Sequence, residues 1–341
     1  MPPEPITPEP GLPGTVPPDP VSGPPQGGGV EREFTIRAMT QRQLVTRRFL
    51  RHRGAMIGLA VFVVVLVLAN SAIGIFGLPG WWGASYQTTG EVVAGGRMTL
   101  DLLPSFADGD GLALGAHPFG QDNVGRDYFA LTMRGAQISI VISLLVGLIA
   151  TTLGVVVGAL SGYFRGWVEG VLMRITDVFL TIPLLLIAAV VGKISGGGPV
   201  TLAFVLGLLV WVQLARLVRG EFLSLREKEF VEAARAMGAS SARIIFRHIL
   251  PNALGTIIVN ATLTIAGAIL LETALSFLSF GVQPPDTSLG RLISDYQQAF
   301  QTRPWLFWWP GVFIIAIALS VNFIGDGLRD AFDPKQTRVR A

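Results

Sequence analysis

Apolar residues in this chain do not alternate, nor do they recur every third or fourth position. They come in unbroken runs. Roughly 20 apolar residues are needed for a helix to cross a hydrocarbon layer, and six runs approach or reach that length: Met56–Phe76, Ile138–Leu160, Ile175–Val191, Val200–Val218, Ile257–Phe280 and Trp308–Ile324. Each is apolar on every side, so periodicity assigns no buried face. The pattern predicts an all-α integral membrane protein with six transmembrane helices. Between them lie an outer loop (77–137), a long polar loop (219–254) and a second outer loop (281–306). Residues 138–327 form the core of spans two to six, and 328–341 a tail.

Composition agrees: 50% of the 341 residues are hydrophobic and 14% are charged, where soluble domains carry about 25% charge. A net charge of +3 gives no reason to expect a nucleic-acid partner, and the lack of cysteine rules out disulfides and thiolate metal sites. Residues 1–30 hold 11 of the 22 prolines. Such a segment cannot build a core and is expected to be a disordered tail, either a plain spacer or a docking element.

The basic residues set orientation, because cytoplasmic loops collect Lys and Arg. With a cytoplasmic N-terminus, 20 of the 26 fall inside, leaving Arg97, Arg126, Arg134, Lys193, Arg291 and Arg303 outside. Both termini are therefore expected in the cytoplasm. Trp81, Trp82, Trp305, Trp308 and Trp309 fall at the outer boundary, as an aromatic belt would. The arm at 31–55 carries Arg47, Arg48, Arg51 and Arg53 beside Leu44, Phe49 and Leu50. It reads either as an amphipathic helix drawn to anionic lipid or as a basic stop that sets topology.

The loop at 219–254 is the most patterned polar segment. In EFVEAARAMGASSARIIFRHILPN, Phe230, Ala233, Ala234 and Met237 follow the spacing of one helix face, with Glu232 at its edge. Gly238 is expected to end that helix. A second short helix should place Ile244, Ile245 and Ile249 on one side and Arg243 and Arg247 on the other, with Pro251 closing it.

Glu232, Ala233, Ala234 and Gly238, followed by Leu250 and Pro251, resemble the EAA loop of permease subunits in ABC importers. His248 stands where the general pattern prefers Ile, a departure shared with the peptide-transport branch. Three further segments resemble the C-type subunit of dipeptide and oligopeptide permeases: HPFGQDNVGRDYFALTMRGAQIS (His117 to Ser139), LLETALSFLSFGVQPPDTSLGRLISD (Leu270 to Asp295) and NFIGDGLRDAFDPK (Asn322 to Lys335). Together they extend over about Phe34 to Lys335. The resemblance implies a type I ABC importer permease fold in a bacterial or archaeal cell membrane. It implies an ATPase-coupling role for Glu232, Ala233, Ala234, Met237, Gly238, Leu250 and Pro251. The implied partners are a second homologous permease, two ATP-binding subunits and an extracytoplasmic substrate-binding protein, in addition to membrane lipid. No cofactor is expected on the chain itself, which lacks a GxxxxGK phosphate loop ending in Ser or Thr; ATP would be used by the partner subunits. The implied cargo is a di- or oligopeptide, with nickel or another small solute as the alternative.

A carboxylate within a span must face protein or water. Glu272 therefore reads either as a pathway or gating residue or as a hydrogen-bonded packing residue. A proton-coupled secondary transporter using Glu272 is the rival from another class, but it leaves the EAA-like loop unexplained. Pro183 is expected to kink span three, with a gating role as the further reading. Arg174 and Asp177 are expected to pair at i, i+3. Gly154 and Gly158 have the spacing of close helix packing, expected within the chain. Ser288 to Phe300 reads as a short outer helix.

Overall fold

A computed structural model of the chain describes residues 41–75, 77–100, 114–194 and 196–332. The 1–30 tail, residues 31–40 of the basic arm and residues 333–341 lie outside the described residues. The described part is mostly helical. In chain order the helices are α1 (Gln41–Arg51), α2 (Arg53–Ile73), α3 (Tyr128–Phe164), α4 (Gly166–Thr181), α5 (Leu184–Ile194), α6 (Pro199–Arg226), α7 (Glu229–Ala236), α8 (Ser241–Arg243), α9 (Leu250–Phe277), α10 (Leu289–Tyr296) and α11 (Trp305–Phe332). A two-residue antiparallel ribbon, β1 (Gly74–Ile75) with β2 (Leu78–Pro79), follows α2.

Among the described residues five helical stretches are long and apolar enough to span a membrane, six when the bent pair α4 and α5 is counted as one broken span. Helix limits differ from the hydropathy runs where polar chemistry takes over. The second span begins not at Ile138 but at Tyr128, where the Asp127 carboxylate caps α3 by accepting from the Ala130 N–H (2.7 Å). Its first turns carry the buried Thr132 and Gln137 and the half-buried Arg134, which donates to Gln137 (3.1 Å), so hydropathy alone does not register them. The first span runs Arg53–Ile73 rather than to Phe76, because the β1–β2 ribbon starts at Gly74.

The third span departs most from a plain helix. Ile182 is extended (φ −93°, ψ 128°) and the axes of α4 and α5 differ by 85°. The cause is local: the Pro183 ring excludes the helical conformation from the residue before it. Pro251 behaves oppositely and does not close a helix as its sequence context predicts. Residues Ile244–Ile249 form a π-helical turn in which the Leu250 N–H reaches back five residues to the Ile245 carbonyl. That shift in register lets Pro251 sit in the first turn of α9, where a missing N–H costs little. Ser241 to Phe277 is thus one helical stretch of 37 residues.

The expected Arg174–Asp177 pair does not form. Asp177 instead accepts from Arg216 of α6 (2.5 Å), and Glu169 accepts from Arg219 Nε (2.8 Å), so α4 is tied to α6 by two cross-helix ion pairs. The glycines of α3 serve contacts inside the chain. A Cβ on Gly158 would lie 2.5 Å from the Ala215 carbonyl oxygen, and one on Gly162 would lie 2.7 Å from Phe222 Cβ. Gly158→Leu is therefore expected to separate α3 from α6 at a cost of about 3 kcal/mol. A drop in the melting temperature of the purified protein, with Gly170→Leu as the unhindered control, checks this.

The two ends of the bundle are built differently. At the α7 end, α1 packs beside α11, and His52 joins it to α2: its Nδ1 accepts from the Ala55 N–H (3.0 Å) while Nε2 lies 3.3 Å from Asp330. At the α10 end, the segment before α3 is stapled by buried carboxylates. Asp122 accepts from Arg126 Nε (2.6 Å) and from the Tyr296 hydroxyl (3.1 Å). Burial first, and then the nearby Asp122, push the Tyr296 phenol up, so it stays a donor. Asp127 meets His117 (2.7 Å) and accepts from Trp82 Nε1 (3.1 Å). Of the five tryptophans expected in a belt, Trp81 and Trp308 are exposed, while Trp309 stacks on Phe119 at 3.9 Å within the protein.

Candidate coupling loop and buried carboxylate

The loop after α6 folds back on the bundle. Val231 and Ala234 of α7 are buried against Ile244, Ile245 and Ile249 and against Tyr163 and Phe222 from α3 and α6. The inward side of α7 is thus Val231–Ala234. Of the four residues assigned to one face from spacing, only Ala234 turns in. Phe230, Ala233 and Met237 form an outward face, with Phe230 40% and Met237 80% exposed and Glu232 beside them. Sequence reasoning missed Val231; its i, i+3 relation to Ala234 was the available signal.

Gly238 ends α7 with φ +78°. The Ala239 N–H donates to the Ala234 carbonyl and the Gly238 N–H to the Arg235 carbonyl, both at 3.0 Å. These are the paired bonds of a Schellman cap, which requires a left-handed residue at this place. The chain then turns through Ser240, whose hydroxyl caps α8. Ala234, Met237, Ala239, Arg243, Arg247 and His248 line a recess between α7 and the π turn. Leu250, half-buried, and Pro251, exposed, lie at the start of α9 and do not line this recess.

At the far end of α9, Glu272 is fully buried. Its Oε1 accepts from the Ser276 hydroxyl (2.6 Å) and its Oε2 from the Ser139 hydroxyl of α3 (3.1 Å). The Ser288 hydroxyl in turn donates to Ser276 Oγ (3.3 Å), while the N–H groups of Val282 and Leu289 donate to Ser276 and Ser139 (3.3 and 3.2 Å). The carboxylate itself joins α9 to α3, and the start of α10 is tied in one step further out, through Ser139 and Ser276. Pro183 lies exposed on the α4–α5 break, unlike the buried Glu272.

Residues 154–338 match the family described as binding-protein-dependent transport system inner membrane component, and residues 40–87 match the N-terminal TM domain of oligopeptide transport permease C. The oligopeptide transport system permease protein OppC of Mycobacterium tuberculosis strain H37Rv is 40% identical over 309 residues, covering 88% of this chain and 97% of that one. OppC of Bacillus subtilis is 35% identical over 288 residues, covering 84% and 88%. A chain of the inward-facing methionine ABC transporter MetNI aligns over 60% of this chain and 96% of its own, at a TM-score of 0.49 and 20% identity. The chain belongs to the binding-protein-dependent family of ABC importer permeases, in its oligopeptide permease C branch.

Proposed function

We propose that this chain forms half of the membrane pathway of an ATP-driven importer of di- and oligopeptides. Two separate ATP-binding subunits hydrolyse the nucleotide, a second homologous permease completes the pathway, and an extracytoplasmic binding protein delivers the cargo. The chain binds no cofactor of its own and performs no hydrolysis. It lies in the bacterial cell membrane with both termini and α7 on the cytoplasmic side, an orientation supported by the distribution of its arginines.

The observation that carries this reading is the outward face of α7. Phe230, Ala233 and Met237 are exposed on a helix whose opposite side is fastened to α3, α6 and α9. A motor subunit gripping that face moves the ends of three spans at once. Glu232 lies at the edge of the grip. Gly238, Leu250 and Pro251 shape the chain around it. Within the same reading Glu272 acts in gating, by holding α10 against α3 and α9, and the break at Pro183 gives the third span a hinge.

Reconstitution of the whole importer in proteoliposomes tests the reading. Uptake of labelled peptide is expected to require ATP on the α7 side and to persist when the proton gradient is collapsed. Uptake that follows the gradient and ignores ATP overturns the proposal. ATP-dependent uptake of nickel but not peptide overturns the cargo assignment.

A further inference from the structure

We infer that the exposed face of α1 is a binding site for an anionic phospholipid, with Arg47 and Arg51 holding the headgroup phosphate. The two guanidinium groups are four residues apart on one helix face, together with Gln43, Thr46 and Leu50, and these five residues line one recess. Among the described residues, no acidic side chain lies within ion-pairing distance of Arg47 or Arg51. The opposite face of α1 is occupied. Phe49 reaches Gly327 of α11, and His52, the next residue after the helix, sits against Asp330.

Three observations choose a lipid over a free anion. First, α1 is joined through the single residue His52 to the apolar span α2, which fixes it at the membrane boundary. Second, the recess is not purely polar: Leu50 is 55% exposed between the two arginines, and Leu44 is also exposed. An acyl chain or glycerol backbone covers such a leucine; a free phosphate does not. Third, α2 exposes Ile57, Val61 and Val64 directly after the basic turn, so lipid tails already contact the neighbouring helix when it is in a bilayer. Two cations facing one phosphate, with an apolar contact beside them, match an anionic headgroup better than a zwitterionic one, whose own ammonium is repelled.

Native mass spectrometry of the purified full chain tests this, with phosphatidylglycerol and phosphatidylcholine of identical acyl chains as probes. Wild type is expected to retain phosphatidylglycerol about thirtyfold better, since two basic groups near a membrane surface contribute on the order of 1 kcal/mol each. Arg47→Gln with Arg51→Gln should bring the ratio to within about twofold, and Leu50→Asp should lower retention of both lipids. The pair Arg243→Gln with Arg247→Gln removes the same charge elsewhere and should leave the preference intact. Equal loss in both double variants overturns the site, because the preference would then be diffuse charge. Displacement of the lipid by an equal concentration of inorganic phosphate or glycerophosphate also overturns it, marking a free-anion site instead.

Discussion

Gly238→Val leaves the protein inserted in its membrane but cuts substrate-stimulated ATP turnover of the assembled importer by about tenfold or more, since a β-branched residue at positive φ costs on the order of 1–3 kcal/mol. The cause is conformational rather than steric. A Cβ at this position meets nothing within 4 Å, whereas φ is +78°. Valine can relieve the strain only by abandoning the Schellman cap, which releases the bonds to the Ala234 and Arg235 carbonyls and turns the end of α7 away. Gly238→Asn separates the two causes. Asparagine tolerates the left-handed region and adds comparable bulk, so near-normal turnover is expected. ATP turnover measured with and without peptide reads both variants. A valine variant that couples normally would show that the shape of this loop does not matter to the motor.

Glu272→Ala destabilises this knot by about 2–6 kcal/mol, two buried hydroxyls each losing an acceptor at about 1–3 kcal/mol. The Ser139 and Ser276 hydroxyls lose their acceptor in a closed space. These same two hydroxyls accept from the Leu289 N–H and the Ser288 hydroxyl at the start of α10, so the hold on α10 loosens through them. Glu272→Gln keeps one oxygen as an acceptor but turns an N–H group toward a hydroxyl that is already donating, so an intermediate effect is expected. The chain contains no cysteine, which makes a single introduced thiol a clean reporter. With cysteine at Leu292, buried at 2% exposure on α10, wild-type protein should react slowly with a membrane-impermeant maleimide. The alanine variant should react about tenfold faster or more, as a loss of 1.4 kcal/mol or greater in local closure implies. Unchanged labelling in the alanine variant would leave Glu272 without the proposed hold on α10.

Most of the architecture is legible in the sequence because long apolar runs have few physical outcomes. The two prolines show where that legibility stops. Pro183 breaks its span as expected, because it acts on its immediate neighbour, Ile182. Pro251 lies in an equally apolar setting and breaks nothing, since the preceding π turn shifts the bonding register, and neither composition nor spacing announces that turn. In α7 the pattern located the helix and its glycine end. It could not say which side faces the bundle, because alanine at 233 and 234 suits both a buried contact and an exposed one. The carboxylate knots are the least legible part. Asp122 meets Tyr296 across 174 positions and Ser139 meets Glu272 across 133, distances over which a single sequence carries no pairing signal. Glu272 announced that it needed partners but not which ones.

The uninterrupted helical stretch from Ser241 to Phe277 has a mechanical consequence. At 1.5 Å per residue its 37 residues form a rod of about 55 Å. Ile244, Ile245 and Ile249 bolt one extremity to α7, and Glu272 rides near the other. Tilting a rod of that length by one degree sweeps its tip through about 1 Å, comparable to the slack in a hydrogen bond. A nudge of a few degrees at one extremity is therefore enough leverage to pry the Ser139 hydroxyl of α3 off the carboxylate at the other, while Ser276, on the same rod, travels with it.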